Sequence, residues 1–276
     1  MTATGTPATE WSAVATAWDD NVDYVETHTT EATNALLAGV AVRAGDRVLE
    51  LAAGPGALGA TWSQLAGPTG SVVVSDIAPG MVEVARRRNA TLTNVDVTVL
   101  DLSAIDQPAH SFDVVACRMG LMFTLDPEQA LTEIHRVLRP GGRLGAMTWA
   151  GMEHNPWMTC VGMAAMINGV VTGGPPIGPG GIFSLGEPTV VETLAKNAGF
   201  LDVAVDEIPT TFRVDNIDTH LERVSSLAGP LAAAFHAATS DQLAAVRRTA
   251  ADLAAPYSSA EGLVLPGRAL LVTAHT

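Results

Sequence analysis

Short runs of β-branched residues alternate with amphipathic segments between Asp46 and Trp149. In the amphipathic segments apolar residues recur at helical spacing, and glycine and proline mark the ends. The predicted strands are DRVLEL, SVVVSD, VDVTVL, FDVVAC and RLGAMTW, and the predicted helices are ALGATWSQLAG, GMVEVARRRNA and PEQALTEIHRVLR. Strands that alternate with helices indicate βαβ units, so we expect an α/β fold built on a parallel sheet.

The segments on either side of this core have other patterns. Residues 10–42 predict one or two helices that cap the sheet or pack against it. The apolar segment 158–171 predicts a buried or interfacial helix, and the glycine- and proline-rich segment 173–181 predicts a flexible connector. The elements expected after the connector are a helix at EPTVVETLAKNAGF, a sixth strand at LDVAVDEIPTTFRV, a helical insertion over about 217–255 and a seventh strand at LVLPGRALLVTAH.

Composition and charge exclude several classes of function. The chain has 276 residues, 47% of them hydrophobic, which suits one large α/β domain or a core domain with a substantial insertion. Its formal charge of -14 would repel a phosphate backbone, so nucleic acid is not an expected partner. Lys196 is the only lysine, which leaves almost no material for Schiff-base chemistry or a polybasic membrane patch.

Cysteines, histidines and apolar segments add further expectations. The chain has only Cys117 and Cys160, and its N-terminus lacks the pattern of a secretory signal, so we expect a cytoplasmic protein. The apolar segment 158–171 is shorter than the roughly 20 residues of a spanning helix, so no membrane insertion is expected. The seven histidines show no pair at i, i+3 or i+4 spacing, so no metal site is predicted.

The segment VLELAAGPGALG, residues 48–59, predicts a ligand-binding turn. It joins a strand end to a helix that starts near Leu58, and its glycines let main-chain N–H groups face a ligand. Asp76 ends the next strand, at the interval where an acidic residue reaches ribose hydroxyls in dinucleotide-binding folds. The alternatives are an ordinary tight turn for the glycines and an N-cap of the helix near Pro79 for Asp76.

The residues from Gly54 to Gly59 also spell G-x-G-x-x-G, so an NAD-dependent oxidoreductase is an alternative. Glu50 argues against it, because a carboxylate at this strand end would repel a pyrophosphate but attract an ammonium group. The two tyrosines, Tyr24 and Tyr257, form no Tyr-x-x-x-Lys pair, which disfavours short-chain reductase chemistry.

Five segments, in order and spacing, resemble the class I S-adenosylmethionine-dependent methyltransferases, in particular the ubiquinone and menaquinone biosynthesis C-methyltransferases. The segments are VLELAAGPG, SDIAPGMVEVARRR, VLDLSAI, FDVVACRMGLMF and EIHRVLRPGGRL. The resemblance covers roughly residues 43–149 and departs mildly at Ala52, where the family often has glycine. It implies a Rossmann-like, doubly wound seven-stranded sheet with an antiparallel last strand, together with N-terminal helices and a helical cap or lid.

This resemblance also implies a domain organisation. Residues 1–42 would form cap helices and residues 43–150 a core that binds S-adenosyl-L-methionine. Residues 151–276 would complete the same domain with a mobile lid around 173–183, the sixth and seventh strands and the helical insertion. Oligomeric state is left open, with a homodimer as one alternative.

The resemblance assigns cofactor-binding roles residue by residue. In the first motif the matching positions are Glu50, Ala52, Gly54 and Gly56. Asp76 would hold the ribose hydroxyls, Ile77 and Met81 would flank the adenine, and Asp101 would accept from the adenine amino group beside the Leu102 backbone. Cys117 and Arg118 would lie beside the methionine portion and Met122 near the sulfonium, with plain packing as the alternative for Arg118 and Met122.

Three polar residues are candidates for a catalytic base facing the methyl acceptor: Tyr24, His28 and His154. The alternative for each is a capping or solvent-exposed side chain. By the same resemblance, the residues that would line the acceptor pocket are Trp11, Trp18, Met152, Trp157, Met158, Met163, Met166, Phe183 and Leu227. Methionine and aromatic side chains make an adaptable apolar cavity, which indicates a flat or lipophilic small molecule, unless most of them belong to the core.

The leading hypothesis is an enzyme that methylates oxygen, nitrogen or carbon of a small aromatic or lipophilic metabolite. In-line displacement from a sulfonium needs no covalent nucleophile, so proximity and orientation would supply most of the catalysis. The alternatives are an NAD-dependent oxidoreductase, or a methyltransferase-like protein that binds the cofactor without methyl transfer, such as a cyclase.

Overall fold

A computed structural model of the protein describes residues 6–173 and 176–276. The predicted connector at 173–181 and the lid around 173–183 therefore lie partly outside the described residues, at Gly174 and Pro175. The helices are α1 (Pro7–Ala13), α2 (Ala15–Asp20), α3 (Val22–His28), α4 (Thr30–Val40), α5 (Gly59–Ala66), α6 (Pro79–Asn89), α7 (Pro127–Val137), α8 (Pro156–Ile167), α9 (Pro188–Asn197), α10 (Ile217–Leu227), α11 (Gly229–Ala237) and α12 (Ser240–Ala254). The strands are β1 (Arg47–Leu51), β2 (Ser71–Asp76), β3 (Val95–Val99), β4 (Phe112–Arg118), β5 (Leu138–Trp149), β6 (Leu201–Val214), β7 (Ser258–Ser259) and β8 (Gly262–His275).

The strands form one sheet in the order β3-β2-β1-β4-β5-β8-β6, and the two-residue β7 pairs with β8. Strands β3, β2, β1, β4 and β5 are parallel, whereas β8 is antiparallel to both β5 and β6. This confirms the predicted Rossmann-like sheet with an antiparallel last strand. The strand order reverses between β1 and β4, and in open α/β sheets ligands bind outside the carboxyl ends of the strands at such a switch point.

Strand β5 begins earlier than the sequence indicated. Leu138 pairs with Phe112 and the next paired residue, Arg143, lies opposite Val114, so residues 139–142 bulge out of the ladder. Gly141 has φ 74° in this bulge. Residues 140–142, which lie between the predicted helix PEQALTEIHRVLR and the predicted strand RLGAMTW, are therefore part of an irregularity inside the strand.

Both faces of the central strands are covered. The residues of β4 from Phe112 to Cys117 are buried without alternation, as expected for a parallel strand with helices on both sides. A Cβ on Gly145 of β5 would collide with Leu36 and Val40 of α4, so this helix packs directly on the strand backbone. The N-terminal helices are thereby attached to the sheet.

The N-terminal region contains four short helices, where one or two were predicted. The chain leaves helical geometry at Val14, Asn21 and Thr29, each with φ between about -104° and -110°. At two of these positions a side chain competes with the backbone, because Asn21 Nδ2 donates to the Ala17 carbonyl and Thr29 Oγ1 to the Val25 carbonyl. Such bonds bend a helix, and nothing in the apolar spacing indicates them.

The N-terminal helices also contact the insertion. Trp11 and Trp18 pack with Met81 of α6 in a second hydrophobic cluster, separate from the main core. Trp18 Nε1 donates a 2.8 Å hydrogen bond to the Leu227 carbonyl at the end of α10. Helices α1 and α2 therefore bridge the start of α6 and the predicted helical insertion, which comprises α10, α11 and α12.

Helix α8 confirms the buried helix predicted over the apolar segment 158–171, since Cys160, Val161, Ala164 and Ala165 are all buried. No helix within residues 6–173 or 176–276 combines the length and apolarity that crossing a membrane requires.

Gly145→Ala should lower the free energy of unfolding by about 1–3 kcal/mol, because the added methyl group forces α4 away from β5. Urea denaturation followed by circular dichroism measures this. The matched control is Gly162→Ala in α8, where a Cβ would meet no described atom within 4 Å and a helical alanine should stabilise by about 0.5–1 kcal/mol. Equal stability of Gly145→Ala and the wild type would contradict the close packing.

Candidate active site

The glycine-rich turn lies at the switch point, between the end of β1 and the start of α5. Gly54 and Gly56 have φ 56° and 72°, and Ala52 has φ 49°, an uncommon conformation for a residue with a Cβ. A Cβ on Gly56 would collide with Ala85 of α6, whereas one on Gly54 would meet no described atom within 4 Å. Gly56 thus permits close packing, and Gly54 leaves the backbone accessible to a ligand.

A second backbone segment closes on this turn from β4. A Cβ on Gly120 would collide with the Cβ of Ala52, and the preceding Met119 has φ 60°. Ala52 and Met119 thus hold strained conformations on adjacent sides of one edge, a feature that concentrates at functional sites. Gly120 is not among the residues predicted from the sequence, although a glycine two residues after a buried strand is a detectable signal.

Asp76 is hydrogen-bonded to the backbone of the glycine-rich turn. Its Oδ2 accepts a 2.8 Å hydrogen bond from Gly54 N and its Oδ1 a 2.9 Å bond from Ala78 N. Burial raises the pKa of Asp76, and the backbone amides of Ala78 and Gly54 oppose that rise. The N-cap of α6 is Ala78, so Asp76 orders the entry to the helix without being its N-cap. Each carboxylate oxygen keeps a second lone pair for a ligand hydroxyl.

Glu50 lies in β1 with its side chain buried. Within residues 6–173 and 176–276 its Oε2 has no hydrogen-bond partner. The Trp62 indole of α5 lies beside this carboxyl and favours its ionised form, although Nε1 makes no hydrogen bond in the described structure. Burial raises the pKa of Glu50 to about 7, and the Arg118 guanidinium is the strongest opposing influence. A buried carboxyl of this kind, when ionised, favours a cation beside it.

Arg118, at the end of β4, connects the site to the N-terminal helices. Its Nη2 lies 2.5 Å from Glu26 Oε1 and its Nη1 2.9 Å from Glu26 Oε2, a bidentate pair with α3. Nη1 also donates to Thr33 Oγ1 of α4 at 2.8 Å. Arg118 was predicted from the sequence as a cofactor-binding residue, a role that stays a prediction. Glu26 and Thr33 were not predicted, because no local pattern distinguishes them from other polar residues of amphipathic helices.

The predicted adenine-binding residues lie along β2, α6 and the loop after β3. Ile77 is half-buried, whereas Met81 is 2% exposed in the cluster under α1 and α2. Asp101 is exposed and its Oδ1 accepts from Ser103 N at 2.8 Å, and Leu102 is half-buried. Ile77, Asp101 and Leu102 thus remain at least partly accessible, and the role of each stays a prediction.

The residues predicted beside the methionine portion are more deeply buried. Cys117 and Met122 are fully or almost fully covered, and burial raises the pKa of the Cys117 thiol to about 12. The Met122 carbonyl accepts a 2.7 Å hydrogen bond from Ser184 Oγ, which ties the segment after the connector to this edge. Trp11 of α1 contacts Phe123, with ring centroids 4.9 Å apart.

An aromatic cluster covers the other half of the edge, over β5, β8 and β6. Phe212 stacks on Trp157 at 4.2 Å and on His28 at 5.3 Å. Tyr24 lies 4.2 Å from His28, and Trp149 lies 4.9 Å from Trp157. We call these five residues the aromatic cluster. Tyr24, His28 and Trp157 are among the residues predicted from the sequence to face the acceptor, whereas Trp149 and Phe212 are not, because nothing local distinguishes these two from other strand residues.

The three candidate bases have different surroundings. His28 Nδ1 lies 2.7 Å from the Tyr24 carbonyl and its Nε2 lies 3.1 Å from the Arg213 carbonyl, so both ring nitrogens face the main chain. Burial raises the pKa of Tyr24, with Arg223 opposing it, and Tyr24 Oη has no partner within the described chain. His154 lies in a short turn after β5, where its Nε2 is 3.3 Å from Glu153.

Comparisons with known proteins agree with this geometry. Residues 48–142 match the family model described as a methyltransferase domain. The ubiquinone/menaquinone biosynthesis C-methyltransferase UbiE of Pseudoalteromonas translucida is 38% identical over 121 residues, which cover 43% of this chain and 48% of that enzyme. This chain therefore spans about half the length of the curated relatives that it matches.

Two solved structures share the fold. A SAM dependent methyltransferase from Aquifex aeolicus matches with TM-score 0.52 and 20% identity, over 69% of this chain and 90% of that one. The [4+2]-cyclase SpnF matches with TM-score 0.55 and 18% identity, over 96% and 95% of the two chains. At these identities the likeness concerns the fold alone.

The switch-point edge thus combines a glycine turn, an acidic residue at the end of each of the first two strands and the matched family segment. Residues 48–142 match the model of a methyltransferase domain and resemble the corresponding part of the ubiquinone/menaquinone biosynthesis C-methyltransferases.

Proposed function

We propose that this protein transfers a methyl group from S-adenosyl-L-methionine to a small, flat, apolar molecule. The observation that carries the proposal is the buried Glu50 carboxyl at the end of β1, whose Oε2 has no hydrogen-bond partner in the described structure, together with the nearby Gly54, whose Cβ position is open. An ammonium group beside Glu50 would relieve an uncompensated burial, whereas a pyrophosphate would worsen it. The NAD alternative is therefore weaker than the methyltransferase one.

The residues at the edge fit the cofactor's groups. Glu50 would face the ammonium, Asp76 would accept from the ribose hydroxyls, and the Gly54 backbone would lie against the ligand. Ile77 and the backbone at Leu102 would flank the flat adenine, and Asp101 would lie at its edge. When bound, S-adenosyl-L-methionine supplies a methyl group on a positively charged sulfur.

The chain's own contribution would be positioning and exclusion of water. Arg118 holds α3 against the site through Glu26, and α1 covers the edge through the Trp11–Phe123 contact. These helices would keep the acceptor close to the cofactor and reduce the freedom of both. No covalent nucleophile is required, which agrees with the burial of Cys117.

The aromatic cluster would hold the acceptor. It adjoins the cofactor edge, and stacked aromatic rings favour flat ligands. The relatives' names concern ubiquinone and menaquinone biosynthesis, so a quinone-related ring is one acceptor of the proposed class. Of the three candidate bases, Tyr24 has a polar atom without a partner in the described structure and a place in the cluster. His28 would serve as a wall of the site, since carbonyls face both of its nitrogens.

A second candidate function is cofactor binding without methyl transfer. The fold that this chain shares with the cyclase SpnF carries a different reaction there, so the fold by itself does not distinguish the two functions. Formation of S-adenosylhomocysteine with a library of flat phenols and quinols distinguishes the two. Tight cofactor binding without any such turnover would favour the second function.

Titration calorimetry should show binding of S-adenosyl-L-methionine and S-adenosylhomocysteine at micromolar concentrations and no binding of NAD at the same concentrations. The Glu50 carboxylate should produce this selectivity, because it attracts the ammonium group of S-adenosyl-L-methionine and repels the pyrophosphate of NAD. Binding of NAD alone would overturn the proposed function.

The affinity for S-adenosyl-L-methionine should rise between pH 6 and pH 8, because an ammonium group favours ionised Glu50, whose pKa is about 7 without it. In the folded state this carboxyl keeps its proton above its ordinary pKa of 4.5, so the free energy of unfolding should fall as pH rises from 4.5 to 7. The loss is on the order of 3 kcal/mol.

Glu50→Gln should remove the pH dependence of the cofactor affinity and that of the free energy of unfolding. It should raise the melting temperature at pH 8 and weaken cofactor binding at that pH about tenfold or more. The exposed Glu83→Gln on α6 is the control. A Glu50→Gln protein that keeps the wild-type affinity and its pH profile would show that this carboxyl does not face the cofactor.

Asp76→Ala should weaken S-adenosyl-L-methionine binding about 10- to 100-fold, because it removes the ribose acceptor and releases the Gly54 and Ala78 amides. The control is Asp96→Ala on β3, an exposed position away from the edge. Calorimetry measures affinity, and circular dichroism checks that both variants are folded. Equal affinity of Asp76→Ala and the wild type would mean that the turn holds a different ligand.

A further inference from the structure

The Arg118 guanidinium lies near two carboxyls, Glu50 of β1 and Glu26 of α3, but in the described structure it is hydrogen-bonded to Glu26 alone of the two. The strand register places it within reach of both. Glu50 pairs with Ala116 in the parallel ladder between β1 and β4, and Arg118 follows Ala116 by two residues. Because side chains alternate along a strand, Glu50 and Arg118 leave the same face of the sheet, with Cα atoms about 8 Å apart. Two long side chains can meet over such a diagonal.

This face of the sheet is the one that α4 covers. Gly145 of β5 lies opposite Ala116, and a Cβ on Gly145 would collide with Val40 of α4. The Arg118 side chain therefore emerges beneath the N-terminal helices, on the same face as Glu50.

Three acceptors at helical spacing hold the guanidinium. Glu26, Thr29 and Thr33 are three and four residues apart, so they form one stripe that continues from α3 into α4. The two Glu26 oxygens accept from Arg118 at 2.5 and 2.9 Å, and the Thr29 and Thr33 hydroxyls lie 3.5 and 2.8 Å from Nη1. Both terminal nitrogens of Arg118 thus have partners on the helices, and within residues 6–173 and 176–276 neither donates to Glu50.

The charges around Glu50 show what this pairing decides. Burial raises the pKa of Glu50 to about 7, Arg118 opposes the rise, and Glu26 and Asp76 add to it. Cys117 is uncharged at pH 7, because burial raises the pKa of its thiol to about 12. Since Glu26 already compensates Arg118, an ionised Glu50 needs a further cation. An ammonium group of a ligand can supply it, and so can Arg118 if Glu26 releases it.

We propose that Glu26 is a positioning residue for the cofactor: by holding Arg118, it prevents this guanidinium from pairing with Glu50 and keeps the carboxyl free for the ammonium group of S-adenosyl-L-methionine. This inference rests on the proposed function. The guanidinium and the ammonium group compete for one carboxylate, so the cofactor binds tightly only while Arg118 has another partner. Because Glu26 lies on the helix that carries Tyr24 and His28, the position of α3 and the affinity for the cofactor are coupled.

A titration of the ligand-free protein tests this competition. The ¹³C chemical shift of the Glu50 carboxyl, identified by its absence from Glu50→Gln, should titrate near pH 7 in the wild type. Glu26→Gln should move the midpoint to about pH 6 or below, because the released guanidinium then pairs with Glu50. The matched control is Asp23→Asn, which removes an exposed charge from the same helix and should keep the midpoint near pH 7. An unchanged midpoint in Glu26→Gln would overturn the inference.

A double-mutant cycle separates action through Arg118 from direct repulsion between the two carboxylates. In the Arg118→Gln background, Glu26→Gln should move the Glu50 midpoint by less than about 0.5 pH units, because no guanidinium is left to be released. Equal shifts in both backgrounds would overturn the assignment. Circular dichroism checks folding, and the comparison of Glu26→Gln with Asp23→Asn decides alone if Arg118→Gln does not fold.

Calorimetry with S-adenosylhomocysteine, which carries the same ammonium group, relates the competition to the cofactor. Heats in buffers of different ionisation enthalpy give the number of protons released. At pH 6 the wild type should release about 0.9 proton, because Glu50 ionises on binding. Glu26→Gln should release at most about half a proton and should bind about tenfold more weakly at pH 8.

The two proposals fail in different ways. Wild-type proton release and affinity in Glu26→Gln would overturn this inference alone. A wild-type protein that binds neither S-adenosylhomocysteine nor S-adenosyl-L-methionine would overturn the proposed function.

Discussion

The burial of Glu50 at the end of β1 is the constraint around which the carboxyl edge of the sheet is built. A carboxyl without a partner in the described structure is costly in the core of a parallel sheet, and its neighbours reduce that cost only in part. The Arg118 guanidinium and the Trp62 indole approach it from β4 and α5. On the same edge, a Cβ on Gly54 would meet no described atom within 4 Å, so the backbone of the glycine turn is open there.

Arg118 connects this edge of the sheet to the N-terminal helices. Its bidentate pair with Glu26 and its bond to Thr33 place α3 and α4 over the strand ends. The close contact of α4 with the Gly145 backbone holds the other end of the same segment. As a result Tyr24 and His28 lie against Phe212. The part of the edge that bears Glu50 and Arg118 is therefore continuous with the part covered by the aromatic cluster.

The strands and helices of the core could be predicted because their signals are local. A strand buried on both faces shows as a continuous run of β-branched residues, and α6 and α7 show helical spacing between punctuating prolines and glycines. The glycine turn could be predicted because positive φ favours glycine. Asp76 could be predicted because it lies at a fixed interval after the turn, at the end of the next strand. The division of the N-terminal region into four helices could not be predicted from the apolar spacing. It depends on side-chain hydrogen bonds that Asn21 and Thr29 donate to the main chain.

The sequence by itself determined the order of the elements, the turn at residues 48–59 and the acidic strand ends, because each depends on residues close together in the chain. Only the tertiary structure decided which distant side chains meet. Arg118 and Glu26 are 92 residues apart, and His220 and Trp157 are 63 apart. Such contacts depend on how whole helices pack on the sheet, and no local pattern in the chain records that packing.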